Sequence, residues 1–222
     1  MDVIEAIKGR ISVRAFKPDP VPREVLQEIL DISTRSPSAL NSQPWEVAVI
    51  AGEVLEAIKR DNVAAIAQGT MPDTDVPLPP LEGVYRQRQV DLAIQLFGLM
   101  GISREDKEKR AEWTQRGFRF FDAPAALIIS ADSSVGMART QFDIGCFTQT
   151  ICLVAMSYGL GTCIAAQGVM YPDVVRRHTG IPRSKLLTIS IAIGYPDWDF
   201  PANKLVSARE PVKAFTTWYG FD

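Results

Sequence analysis

The 222-residue sequence holds a single histidine, His178, and three cysteines, Cys146, Cys152 and Cys163. One imidazole cannot build a zinc site of several histidines, and no partner group stands at the spacing of a His-based triad. The cysteines are odd in number, lack CxxC spacing and sit in apolar surroundings, which points to buried thiols rather than disulfides or a metal cluster. No apolar run reaches the roughly 18 residues of a membrane-spanning helix, so a cytosolic (cytoplasmic) protein is expected. The formal net charge of −2 gives no general attraction to nucleic acid or to an anionic membrane. Any anion must therefore be held by local arginines. Internal repeats, low-complexity tracts and long charge blocks are also missing.

What is present is an ordinary globular composition, 46% hydrophobic and 23% charged, enough for a sizeable core. Two clusters near the N-terminus carry the chemistry. In Arg10-Ile11-Ser12-Val13-Arg14, two guanidinium groups and a hydroxyl fall on alternate residues, so an extended backbone projects all three from one side, a pincer for an anion. Ser36-Pro37-Ser38-Ala39-Leu40-Asn41-Ser42-Gln43-Pro44-Trp45 is a polar, proline-braced stretch of the kind that presents hydrogen-bonding groups to a ligand. Together they suggest a phosphorylated cofactor with a polar, planar ring.

Periodicity predicts helices over 2–9, from Val25 to about Arg35, from Leu55 onward, over 84–100, over 104–118 with Ser103 at its start, over 139–158 and over 173–178. Strands are expected at 45–51, 125–130, 161–166 and 186–193. The proline-rich stretch 69–80 propagates neither and reads as a surface excursion. Stretch 151–156 is apolar on every face and belongs in the core or a subunit interface. Trp45 reads as a core residue and His178 as a group bordering its helix. The whole predicts a single α+β domain over 1–222, helices flanking a mixed central β-sheet. The tail from Tyr195 carries Trp198, Phe200, Phe215, Trp218, Tyr219 and Phe221, too aromatic to remain solvated, and is expected to wrap over a partner subunit.

Arg10-x-Ser12-x-Arg14-x-Phe16 followed by Pro37-Ser38-x-x-Asn41-x-Gln43-Pro44-Trp45 resembles the FMN-dependent nitroreductase family. The stretches Tyr158-Gly159-Leu160-Gly161-Thr162, Ala165-Ala166-Gln167-Gly168 and Ile193-Gly194-Tyr195-Pro196 and the late Arg209 extend the likeness. The resemblance implies a homodimer with FMN at the subunit interface and a ping-pong reaction in which NADH or NADPH reduces the flavin, and a nitroaromatic, quinone or other electron-poor acceptor reoxidises it. It implies Arg10, Ser12 and Arg209 at the FMN phosphate, Arg14 near the pyrimidine side of the ring, Pro37, Ser38 and Asn41 reaching the flavin from the second subunit, and Ala165, Ala166, Gln167 and Gly168 beneath the ring. No side chain is required as a nucleophile, because flavin carries the hydride chemistry. Segment 68–120 matches weakly and is expected to form a variable helical lid, with Arg86, Arg88 and Gln89 as candidates for one further ring contact. It leaves open reductive dehalogenation, dehydrogenation of a metabolite, flavin fragmentation or a flavin-binding module without catalysis.

Overall fold

A computed structural model describes residues 2–221. Seven α-helices and four strands follow in the order α1 (Val3–Gly9), α2 (Arg23–Ser33), β1 (Glu46–Ala51), α3 (Gly52–Ala67), α4 (Gly83–Leu99), α5 (Lys107–Phe118), β2 (Ala125–Asp132), α6 (Met137–Ser157), β3 (Gly161–Ala165), α7 (Pro172–Thr179) and β4 (Lys185–Gly194). Helix α1 is short and begins with a capping box: the Asp2 carboxylate accepts from Ile4 N at 2.8 Å, and Glu5 accepts from Asp2 N at 3.3 Å. Helix α5 starts three residues later than periodicity suggests. Asp106, not Ser103, accepts from the free backbone N–H of the first turn, at Lys109. Helix α7 opens on Pro172 and stops at Gly180, whose φ of 74° suits glycine.

The strand order is β1-β2-β4-β3, and all three ladders are antiparallel. A mixed sheet was expected because strands alternate with helices, the pattern of parallel crossovers. The crossover through α6 does leave β2 and β3 running the same way, but β4 is inserted antiparallel between them. Among the described residues, the parallel pairing is the isolated bridge of Ser12 with Thr162.

Both faces of the sheet are covered, which is why β2 is almost continuously apolar. Leu127 and Ile129 point, with Ile191 and Ile193, toward Phe147, Ile151 and Ala155 of α6 and Leu26 and Ile29 of α2. Ala126, Ile128 and Ala192 face Leu55 and Ile58 of α3, Phe118 of α5 and Val175 of α7. The all-apolar stretch of α6 thus lies over the sheet. Trp45 stacks flat on Phe147 with 4.5 Å between centroids, a core role. Cys152 and Cys163 are buried, Cys146 is half-buried, and all three are free thiols.

The 69–80 stretch is pinned rather than loose. Asp75 makes a bidentate pair with Arg176, with contacts of 2.6 and 3.1 Å, and accepts from Leu187 N at 2.7 Å. Tyr171 OH donates to Thr70 O at 2.9 Å. Within 68–120, α5 sets Phe118 in the main core with Trp113 against it, whereas α4 sets Leu96 in a small separate cluster with Ala202 and Leu205. Among the described residues, no helix is long and apolar enough to cross a membrane.

Candidate functional site

The arginine cluster leaves α1 at Gly9 and runs as an extended arm along the free edge of β3. Val13 N donates to Thr162 O at 2.9 Å and Lys17 N to Tyr195 O at 2.8 Å. The arm lies this close because Gly161 has no side chain: a β-carbon there would strike Val13 and Pro196. Extended backbone then sorts the residues by parity. Val13 and Ala15 are buried, while Arg10, Ser12 and Arg14 are half-exposed. All three act on one thiol, Cys163, which burial pushes up to about 11 against the opposing influence of Arg14, Ser12 and Arg10. Among the described residues neither Arg10 nor Arg14 is paired with a carboxylate. Half-buried cations without a counter-charge are chemically suited to an anion.

Arg14 is gripped by residues that sequence reasoning did not single out. Asn203, buried, accepts from Arg14 N at 2.6 Å and donates to Ala15 O at 2.9 Å and Asp197 O at 2.7 Å. Arg116 of α5 donates to Arg14 O at 3.4 Å. No local pattern marks either residue, because both act on a segment about a hundred or more positions away.

The arm's neighbour β3 runs into the 165–168 turn. Ser190 Oγ donates to Ala165 O at 2.5 Å. The ring of Phe120 and the Ser190 hydroxyl fill the space where a side chain on Gly168 would go, and the Gln167 amide lies against Gly117 of α5. Phe120, Phe121 and Asp122, which form the corner after α5, all have left-handed backbone, with φ of 55°, 54° and 60°. Non-glycine residues hold that conformation only where surrounding packing overrides its cost, a feature concentrated at functional sites.

The second cluster has its own strain. Leu40, Asn41 and Gln43 have φ of 55°, 58° and 45°. The buried carboxylate of Asp143 on α6 accepts from Ala39 N at 3.3 Å, and Ser38 Oγ accepts from Gln43 N at 3.0 Å. Pro37 and Asn41 are exposed, Ser38 is half-buried, and Leu40 is 93% exposed beside α6, whose Phe142 is 73% exposed. This loop leads into β1, at one edge of the sheet, whereas the arginine arm lies beside β3, at the other. Three strand spacings of nearly 5 Å, about 14 Å, separate the two edges. Within one chain the two clusters do not meet.

Arg209 does not join Arg10 either. It lines a hollow of about 740 Å³ between α4 and the tail, with Arg88, Asp91, Gln95 and Ser207, and its guanidinium donates to Ser207 O at 2.9 Å and Ala208 O at 3.0 Å. Arg10 borders a separate cavity of about 190 Å³ near Met156 and Trp198. Arg88 shares the larger hollow and pairs with Glu210 at 3.1 Å, whereas Arg86 is turned to Gln89 at 2.5 Å. His178 ties α7 to α3 through Asp61 at 2.8 Å, a contact that holds the Asp61 carboxyl below its usual range. Among the described residues no group of acidic, histidine and cysteine side chains could hold a metal ion.

The profile of the nitroreductase family matches residues 7–195. The chain belongs to that family. Over its whole length it is 32% identical to a 4-nitrobenzoate reductase of Pseudomonas putida, covering 97% of that protein. Its fold superposes on the FMN- and NADPH-dependent nitroreductase NfnB of Sphigopyxis sp. strain HMH with a TM-score of 0.94 and 32% identity, each chain covered completely. The FMN-dependent nitroreductase NfnB of Mycobacterium smegmatis, solved in complex with NADPH, gives a TM-score of 0.91 at 29% identity, with 97% of each chain covered. The nitroreductase fold is thus this chain's fold.

Proposed function

We propose that this nitroreductase-family chain is an FMN-dependent enzyme that uses NADH or NADPH to reduce nitroaromatics, quinones or related electron-poor acceptors. The carrying observation is the pair of half-buried arginines, without a carboxylate partner among the described residues, on an arm bonded to the start of β3 and linked through α5 to the 165–168 turn. A phosphate-bearing, ring-shaped cofactor fits that donor set. Arg10 and Ser12 would hold its phosphate, each charge-assisted contact contributing roughly 1.5 to 3 kcal/mol. Arg14 would lie toward the ring, where a cation favours the reduced, more negative form. The 165–168 turn would lie beneath the ring, held in place by the packing of Phe120 and Ser190 where Gly168 has no side chain. FMN, when bound, supplies the hydride chemistry between nicotinamide and acceptor.

The opposite-edge placement of the two clusters supports a homodimer in which Pro37, Ser38 and Asn41 of one subunit complete the site of the other. The left-handed, outward-facing Leu40 and the exposed Val3, Ile4 and Ile7 of α1 are suited to burial against a second copy. The tail beyond Leu205, with Phe215, Trp218, Tyr219 and Phe221 exposed, is placed over the partner in the same reading, and Arg209 is brought to the phosphate with it. Part of 68–120, chiefly α4, would then serve as the lid. A cytoplasmic location accords with an activity that draws on cellular NAD(P)H.

The test is anaerobic: protein purified with FMN is bleached by NADPH or NADH, then mixed in stopped flow with 4-nitrobenzoate and a benzoquinone. Rapid return of the yellow colour is expected. Protein that stays colourless after FMN is added overturns the proposal, and slow reoxidation by every nitro compound and quinone replaces it with another flavin reaction.

A further inference from the structure

Arg116 stands in an unusual position. Its guanidinium lies over the ring of Phe200 at 4.6 Å, touches Asp122 at 3.3 Å, and donates to Arg14 O at 3.4 Å, while its buried Nε–H has no partner among the described residues. Burial lowers its pKa from the usual arginine range, with Asp122 opposing that effect. A guanidinium stays charged even so. Holding this cation behind the arm costs free energy through desolvation, with the like charge of Arg119 adding to it, so its retention there calls for a compensating role.

The surrounding contacts indicate that role. Phe200, on which Arg116 stacks, leads into the Pro201–Lys204 turn whose Asn203 accepts from Arg14 N. The Arg14 residue is therefore held at its N–H by Asn203 and at its carbonyl by Arg116, two groups braced against each other through Phe200. On the other side, the next residue of α5, Gly117, is covered by the Gln167 amide, and the corner after it packs Phe120 against Gly168. One helix end thus touches both the cation arm and the 165–168 turn.

We infer that Arg116 is a positioning residue: it fixes the Arg14 backbone, from which the guanidinium projects, relative to the 165–168 turn and thereby tunes the reduction potential of the bound flavin. The inference rests on the FMN site proposed above. It goes beyond that site by making α5, in the weakly matching segment 68–120, a determinant of flavin electronics as well as of pocket shape.

The experiment is a double-mutant cycle on the FMN-loaded protein, Arg14→Ala, Arg116→Met and the double variant, with the flavin midpoint potential as readout and thermal unfolding in parallel. Arg14→Ala is expected to lower the preference for reduced over oxidised FMN about tenfold, about 30 mV for a two-electron couple. Arg116→Met should produce about half of that shift or more in the wild-type background and none in the Arg14→Ala background. Arg116→Lys keeps a cation but loses the fork that reaches Arg14 O while stacking on Phe200. It should give a smaller shift of the same sign, and it carries the cycle if Arg116→Met does not fold. An unchanged potential in the Arg116 variant, with Arg14→Ala lowering it, overturns the positioning role. So does an equal shift in both backgrounds, since Arg116 would then act without Arg14. No effect of Arg14→Ala overturns the underlying site assignment instead.

Discussion

The two sequence clusters meet different fates in the structure. The arginine arm is finished within one chain: its backbone is bonded to β3 and to Asn203, its alternate residues are buried, and glycines 161 and 168 admit neighbours at contact distance. The 37–43 loop is unfinished, strained at three residues and tipped by a leucine that almost entirely faces solvent. Packing alone accounts for the first region. The second carries a conformational cost held by a few hydrogen bonds, from Ala39 N to Asp143 and from Gln43 N to Ser38 Oγ, with little packing over its tip, which accords with the proposal that a second copy completes it.

Substitutions can break or sharpen this contrast. The largest effect is expected on the arm side from Gly168→Ala, because the added methyl meets a buried ring and a bonded hydroxyl; a loss of about 3 kcal/mol, with failure to retain FMN, should appear in urea unfolding and flavin fluorescence. Asn203→Ala leaves the Arg14 N–H without its acceptor and takes one of two donors from each of the Ala15 and Asp197 carbonyls, which keep Asp197 N and Phe200 N; this should cost about 2 kcal/mol by the same unfolding measurement.

The alkaline limb of stability comes next. The Cys163 thiol titrates near 11 in the folded chain and from its ordinary value of 9.0 when unfolded. Between those values the folded chain holds a proton that the unfolded chain has lost, so stability falls as pH rises through the window, by about 2 kcal/mol. Cys163→Ala should flatten that slope, and equal slopes in both proteins would show that the thiol beneath the arm is not desolvated.

On the loop side the signs invert. Leu40→Gly should relieve left-handed strain and stabilise an isolated subunit by about 1 kcal/mol or less, yet weaken association of copies in sedimentation velocity. An intact dimer with unaltered stability would remove the contrast. Glu210→Gln should change stability by less than about 1 kcal/mol, since its pair with Arg88 is half-exposed. A larger loss would mean that the tail is fastened more firmly than its exposed aromatics indicate.

The helices were legible because apolar spacing and caps are local, and the arm was legible because alternation in extended backbone sorts side chains by parity. The start of α5 was misplaced because Ser103 and Asp106 are both good caps, and only the fold decides which meets a free N–H. Sheet order was not legible: alternating strands and helices announce a crossover but do not say that β4 enters between β2 and β3. Asn203 and Arg116 escaped notice because their value lies in partners 189 and 102 positions away.

The sequence by itself determined the inventory: an arm with Arg10, Ser12 and Arg14 on alternate residues, a polar, proline-braced loop, a small-residue turn and the family whose pattern they carry. Periodicity, turn chemistry and residue type are properties of neighbours along the chain. Tertiary structure alone decided that the arm and the loop stand at opposite edges of one sheet, and that Arg14 is clasped by Asn203 and Arg116. Those relations come from strand order and long-range packing, which no local pattern encodes.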